Sequence, residues 1–344
     1  MFYLHLTQLF GFFCAQIFNS ILALLIVKRA GKLFGAYRHV MLFFTLSSMW
    51  FSWVEILTQP VVYIKGSMLV VFIDHYNYPL DLGGWILCLH CGSFAFVISV
   101  FAVQFFYRYA TLCSSKILHF FNGNRIFLIF LPCLIPYLIF FFMVHFGLSA
   151  TDEKREFLKD DFQNLLDLDV TKIPFIAHFY WSLSPNGETI WHFKDLIATG
   201  ICNLIIATVS FLILLFAWKT YFYMKNASEN LSQRTQDINR QLFIMLTVQT
   251  VVPFVTMYIP IALVINIPFF GLGLGEFVNY TSASIAVYPM LEPLITMYCI
   301  ADFRKTLKRF LLGSSRISDG SYNSYNQKSA ISHVSASATK TIAS

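Results

Sequence analysis

Seven stretches of this chain stay apolar for about 20 residues each, the length needed to cross a membrane. They run over 4–27, 40–64, 85–107, 126–146, 196–217, 242–266 and 280–300. In lipid a chain must satisfy its backbone polar groups internally, so each stretch has to be a helix. The composition agrees. Of the 344 residues, 57% are hydrophobic and 12% charged, whereas a soluble domain carries about 25% charged residues. The expected fold is an all-α membrane protein, a bundle of seven transmembrane helices.

The basic residues set the orientation. Eighteen of the 24 lysines and arginines fall in the loops after spans one, three and five and after span seven. Five of the six others, Lys154, Arg155, Lys159, Lys172 and Lys194, share one long loop, and long loops weigh little in the positive-inside rule. The N-terminus is expected outside and the C-terminus in the cytosol. The net charge of +6 then belongs to loops facing anionic lipid, and no nucleic-acid partner is expected. The first apolar run has no basic residue before it and is longer than a signal-peptide core, so it reads as a span.

Two regions outside the spans have a pattern of their own. In the outer loop, about 147–195, Thr151-Asp152-Glu153 precedes Phe157, Leu158, Phe162, Leu165 and Leu166. This reads as a capped, short amphipathic helix, either a lid over an outer pocket or a solvated loop. After span seven, Phe303, Leu307, Phe310 and Leu311 share one helical face and Arg304, Lys305, Lys308 and Arg309 the other. That is the pattern of an amphipathic helix, 301–313, lying on the inner leaflet. The expected domains are therefore 1–313 and a disordered, Ser-rich cytosolic tail, 314–344.

Polar groups inside spans are costly and therefore functional candidates. Asn19, Ser48 (with Ser47 beside it), Ser99, Gln249 and Glu292 all fall seven or eight residues from the cytosolic ends of their spans. At 1.5 Å rise per residue, that is roughly 12 Å deep. They are expected to form one hydrogen-bonded layer. Glu292 lies between Pro289 and Pro293, which cannot donate to the carbonyls of Ile285 and Pro289. The freed carbonyls need partners, so this face should point into the bundle as a hinge beside a polar switch. Pro253 repeats the device next to Gln249. Glu55, the other intramembrane carboxylate, is a candidate ligand contact, with a satisfied buried glutamate as the plainer reading. Tyr107-Arg108-Tyr109 closes span three. Arg108 can pair with helix-end carbonyls or a docking partner, or snorkel as an anchor.

Seven spans with an outer N-terminus and an arginine ending span three resemble a G-protein-coupled receptor. "GAYRHVMLFFTL" (35–46), "FFYRYATL" (105–112), "QLFIMLTVQTVVPFVTMYIP" (241–260) and "YPMLEPLITMYCIADFRK" (288–305) resemble, more particularly, nematode serpentine chemoreceptors of the Str superfamily, in its Str or Srj branch. The resemblance implies a chemosensory receptor of sensory cilia in the plasma membrane. Its ligand would be an external small molecule and its partner a heterotrimeric G protein. Tyr107, Arg108 and Tyr109 would be the coupling motif, although a tyrosine replaces the usual acidic residue before the arginine. Glu292-Pro293 stands where rhodopsin-like receptors carry Asn-Pro.

Other classes fit less well. Span seven holds no lysine for a retinal Schiff base, and the span histidines form no His-x-x-x-His pair. Cys88 and Cys91 lie in a span, where cysteine is a small apolar filler. The chain is thus expected to be no enzyme, with no catalytic or metal-binding residues and no cofactor. A seven-span small-molecule transporter or ligand-gated channel is the alternative.

Overall fold

The computed structural model describes residues 1–113, 121, 123–227, 233–273, 275 and 278–311. The tail expected over 314–344 lies outside them. The spans become α1 (Phe2–Leu25), α3 (Tyr37–Thr58), α4 (Leu80–Cys113), α5 (Leu134–Gly147), α7 (Phe193–Ala227), α8 (Gln233–Pro253) with α9 (Ile259–Asn266), and α10 (Val278–Cys299). A short α2 (Gly31–Phe34) follows a π turn at Ile26–Ala30. Among the described residues, six helical stretches are long and apolar enough to cross a membrane by themselves. The seventh, α10, has the same length but is diluted by Asn279, Thr281, Ser282, Glu292, Thr296 and two prolines.

The helix α4 is the centre of the bundle. About 72% of its apolar window is buried inside the protein, against 17% for α7, which presents its side chains outward. The helices α1 and α10 approach each other closely. At Gly11 an added Cβ would sit 2.5 Å from the carbonyl oxygen of Ala286, so only glycine lets these two backbones meet. Past Pro253, the sixth span continues as a π turn, Phe254–Tyr258, before α9. Pro253 and Pro260 each remove a backbone donor there, and the ladder relaxes by one residue.

The outer end holds what the hydropathy reading did not contain. The second span stops at Thr58, not at 64. Gln59 adopts a left-handed conformation (φ 38°), and Pro60 cannot continue the helix. Val61–Lys65 then forms β1 and Met68–Phe72 forms β2. They are joined by a two-residue turn with Gly66 at φ 54°, the geometry that tight hairpins require. The strand β3 (Phe175–Phe179) pairs antiparallel with β2, Val70 opposite Ala177. A smaller hairpin, β4 (Trp181–Leu183) with β5 (Thr189–Trp191), leads into α7.

The expected helix of the outer loop is present as α6 (Asp152–Asn164), with the Thr151 hydroxyl accepting from the Lys154 N–H. Its Leu158 and Phe162 pack on Met68, Val70, Phe72, Phe175, Ala177 and Phe179 of the sheet. Sheet and helix together form a cap. Strand alternation sends the other side chains, among them Leu69, Val71, Ile176 and His178, down toward the bundle.

The second of the chain's two units begins at Ala301. Its described part is α11 (Ala301–Leu311). Asp302 stands in the first turn and Lys308 and Arg309 in the last, charges that suit the helix dipole.

Candidate functional site

Beneath the sheet lies a cavity of about 110 Å³. α4 contributes His90, Cys91 and Phe94. Phe140 and Val144 come from α5, Cys202 and Ile206 from α7, and Val264 from α9. Thr281, Ser282 and Ile285 come from α10, and the sheet supplies the roof. The walls are almost wholly apolar, with two imidazoles and two hydroxyls as exceptions. A few polar groups in an apolar hollow are the usual make-up of a small-molecule site.

The cap is held down by charge. The ammonium of Lys154, buried with only 4% exposure, pairs with the Asp195 carboxylate at 2.6 Å. It also donates to the carbonyls of Ala177 (2.9 Å) and Ser149 (3.2 Å). Asp195, in the first turn of α7, accepts the Phe179 N–H at 2.9 Å. One ion pair thus joins α6, β3 and α7. Burial lowers the ammonium's pKa, and the Asp195 charge opposes that shift. Of the two readings of this loop, a lid or a solvated loop, burial of Lys154 and Asp195 fits the lid. Nothing in their spacing marks them, because what buries them is a sheet formed from two distant loops.

His178 sits beside this pair, with Nδ1 2.7 Å from the Thr199 hydroxyl. Burial, with the Lys154 charge adding, pushes its imidazole down to about 3. The folded value lies below the unfolded one of about 6.5. Its stabilising contribution is therefore complete above pH 6.5 and is lost as the pH falls toward 3. Between pH 7 and 5 the cap should lose about 2 kcal/mol. Amide exchange of β3 at the two pH values checks this, and His178→Gln should flatten the difference.

Glu55 does not line the cavity. It stands behind His90, with its carboxylate 3.3 Å from Nδ1, and the Thr58 hydroxyl is 3.3 Å from the same nitrogen. The cavity wall is His90 itself, one of the span histidines that sequence analysis weighed only as a possible metal ligand.

Deeper in the bundle, part of the expected polar layer is assembled. Gln249 Nε2 donates to Glu292 Oε1 at 2.8 Å and to the Thr296 hydroxyl at 2.7 Å. Asn19 Nδ2 donates to the carbonyl of Pro289 at 2.9 Å, the acceptor that Pro293 leaves free. Ser48 faces the Glu292 carboxylate without closing a hydrogen bond of regular geometry. Ser99 is not part of it. Its hydroxyl bonds back to the Ala95 carbonyl at 2.7 Å, and Ser47 likewise to Phe43. Ser99 was grouped with the others by depth alone, and its direction around α4 points it toward α5 and α7. Thr45 and Gln104 take its place, facing Glu292 across a cavity of about 10 Å³. A helical-wheel reading of α4 would have favoured Gln104.

At the inner end, Arg108 does not snorkel. It is 6% exposed, and its guanidinium lies 4.0 Å above the Tyr37 ring. Tyr37 stacks in turn on Tyr107, with centroids 5.7 Å apart. Tyr109 contacts Phe216, and Lys219 lies 5.5 Å over its ring. The absent acidic neighbour is thus replaced by an aromatic face, which attracts a cation through its quadrupole. Arg108 Nε and Nη2 have no hydrogen-bond partner among the described residues.

A helical bundle with a capped cavity at its outer end and a buried arginine at its inner end has the layout of a seven-transmembrane receptor. The family of Str serpentine-type seven-transmembrane G-protein-coupled chemoreceptors matches residues 4–308, and the chain belongs to it. It is 27% identical over 304 residues to serpentine receptor class r-10 of Caenorhabditis elegans, covering 88% of this chain and 89% of that one. It is also 27% identical over 316 residues to the G-protein coupled receptor str-33 of the same organism, covering 89% and 90%. Among solved structures, squid rhodopsin superposes with a TM-score of 0.52 at 12% identity, over 92% of this chain and 88% of that one. That likeness is one of fold. The protein is a multi-pass membrane receptor of the chemoreceptor family, not an enzyme.

Proposed function

We propose that the receptor detects small, largely apolar molecules in the cavity under the cap and passes the signal to a heterotrimeric G protein through Arg108. The cavity is the observation that carries this reading. Its roughly 110 Å³ is of the order of an engineered cavity of about 150 Å³ that binds benzene. His90, oriented by Glu55 and Thr58, supplies a polar contact. Thr281, Ser282 and Ile285 line the cavity about two to three turns above Glu292 on the same helix. A ligand pressing there acts on α10 above the segment that Pro289 and Pro293 weaken. The polar group of Asn19, Ser48, Gln249 and Glu292 is the switch, and Pro253 and its π turn the second hinge.

The charge distribution supports an outer N-terminus and a cytosolic inner face. The family supports residence in the plasma membrane of a sensory cilium. The test is G-protein activation by a panel of small volatile molecules, in wild type and in Phe94→Trp. The larger ring occupies the cavity, so every response of the wild type should fall by about tenfold or more in potency at equal surface level. Unchanged potency would place the ligand elsewhere.

A further inference from the structure

A second, larger cavity adjoins the first. It lies between the outer ends of α4 and α5 and the cap, measures about 230 Å³, and is bordered by Asp81, Gly84, Trp85, His145 and Arg155. Val144 and Ile176 line both cavities, so these two side chains form a shared wall. The direct route from outer solvent to the central cavity is closed by two packed layers. Val70 and Phe72 of the sheet and Leu158 and Phe162 of α6 are fully buried.

The second cavity instead has its mouth at the rim of the bundle. Leu80 and Trp85, which line it at the start of α4, are 40% and 46% exposed, and a tryptophan at the end of a span is a residue that favours the lipid headgroup region. Trp85 stacks on His145 with centroids 4.1 Å apart, which makes one wall apolar. Arg155, bonded to the Val170 carbonyl, and Asp81 make the other side polar. Apolar molecules leave water for such surroundings, and the leaflet beside the mouth is their natural store.

We infer that this vestibule is a second binding site, which takes small apolar molecules from the outer leaflet and delivers them to the central cavity past Val144 and Ile176. The inference rests on reading the central cavity as the ligand site. Gly84 provides the test, because a Cβ added there meets nothing within 4 Å, so a large side chain can fill the vestibule.

The probe is a short-chain alcohol carrying a diazirine, applied to the purified full-length receptor in lipid nanodiscs. Crosslinks are mapped against time. In the wild type, label should appear on the vestibule walls (residues 80–88) and then around Phe94. Gly84→Trp should slow the central labelling by about tenfold without lowering its final extent. Ile176→Ala, which thins the shared wall, should speed it, and decides the matter alone if Gly84→Trp does not fold. Central labelling at the wild-type rate in both variants would overturn the route. Label confined to the vestibule would instead overturn the central-cavity reading, and the delivery step with it.

Discussion

Lys154→Met is expected to unlatch the cap. The variant keeps the length of the side chain and removes its charge, which leaves Asp195 buried and facing two carbonyls without a cation. Breaking one side of a buried pair typically costs 3–5 kcal/mol. The loss should be local, because the bundle's own packing does not involve Lys154. Exchange protection should fall across 152–179, and agonist potency should fall with it, since the same sheet roofs the cavity. No cysteine lies between Cys133 and Cys202, so no disulfide within the cap can hold it in place of the pair. Adding Asp195→Leu to Lys154→Met should restore much of the protection, because replacing both partners by apolar groups is far cheaper than stranding one. Exchange that is unchanged in the single variant would show that the hydrophobic contacts of Leu158 and Phe162 hold the cap without the ion pair.

Glu292→Leu should abolish signalling while the receptor still reaches the surface. Leucine is apolar and of similar size, so the span inserts as before and no charge is stranded. What disappears is the carboxylate, one of the two acceptors that Gln249 of α8 has on α10; the Thr296 hydroxyl is the other. Both helices are weakened by proline beside it, α8 at Pro253 and α10 at Pro289 and Pro293. The bond therefore ties together two segments that can bend. Glu292→Gln retains an acceptor oxygen and should keep part of the response. A Glu292→Leu receptor that signals at the wild-type level would show that the polar group only aids packing.

Much of this was legible in the sequence because membrane helices obey one strong rule. Length and hydropathy located the spans, though not the end of the second, and proline chemistry foretold that a carbonyl near Glu292 would need a partner from within the bundle. Asn19 is that partner. The depth argument gathered Asn19, Ser48, Gln249 and Glu292 but also took in Ser99, since depth along a helix says nothing of direction around it.

The cap was only half legible. Thr151 and the spacing of Leu158 and Phe162 announced α6, but Val61–Phe72 was read in part as the end of a span. A hydropathy window does not distinguish a β-branched strand from a helix. Pro60 and the Gly66-Ser67 pair between two valine-rich runs were the signals that could have done so. The lining of the central cavity was not legible, because its roof comes from segments more than a hundred residues apart in the chain.

The most direct test of receptor function is nucleotide exchange on purified Gα subunits, driven by the reconstituted receptor and the small-molecule panel, with Arg108→Ala beside the wild type. Agonist-dependent exchange is expected in the wild type, with its loss in Arg108→Ala at equal receptor density. Agonist-evoked flux across the membrane that persists in Arg108→Ala and without any G protein would contradict receptor function.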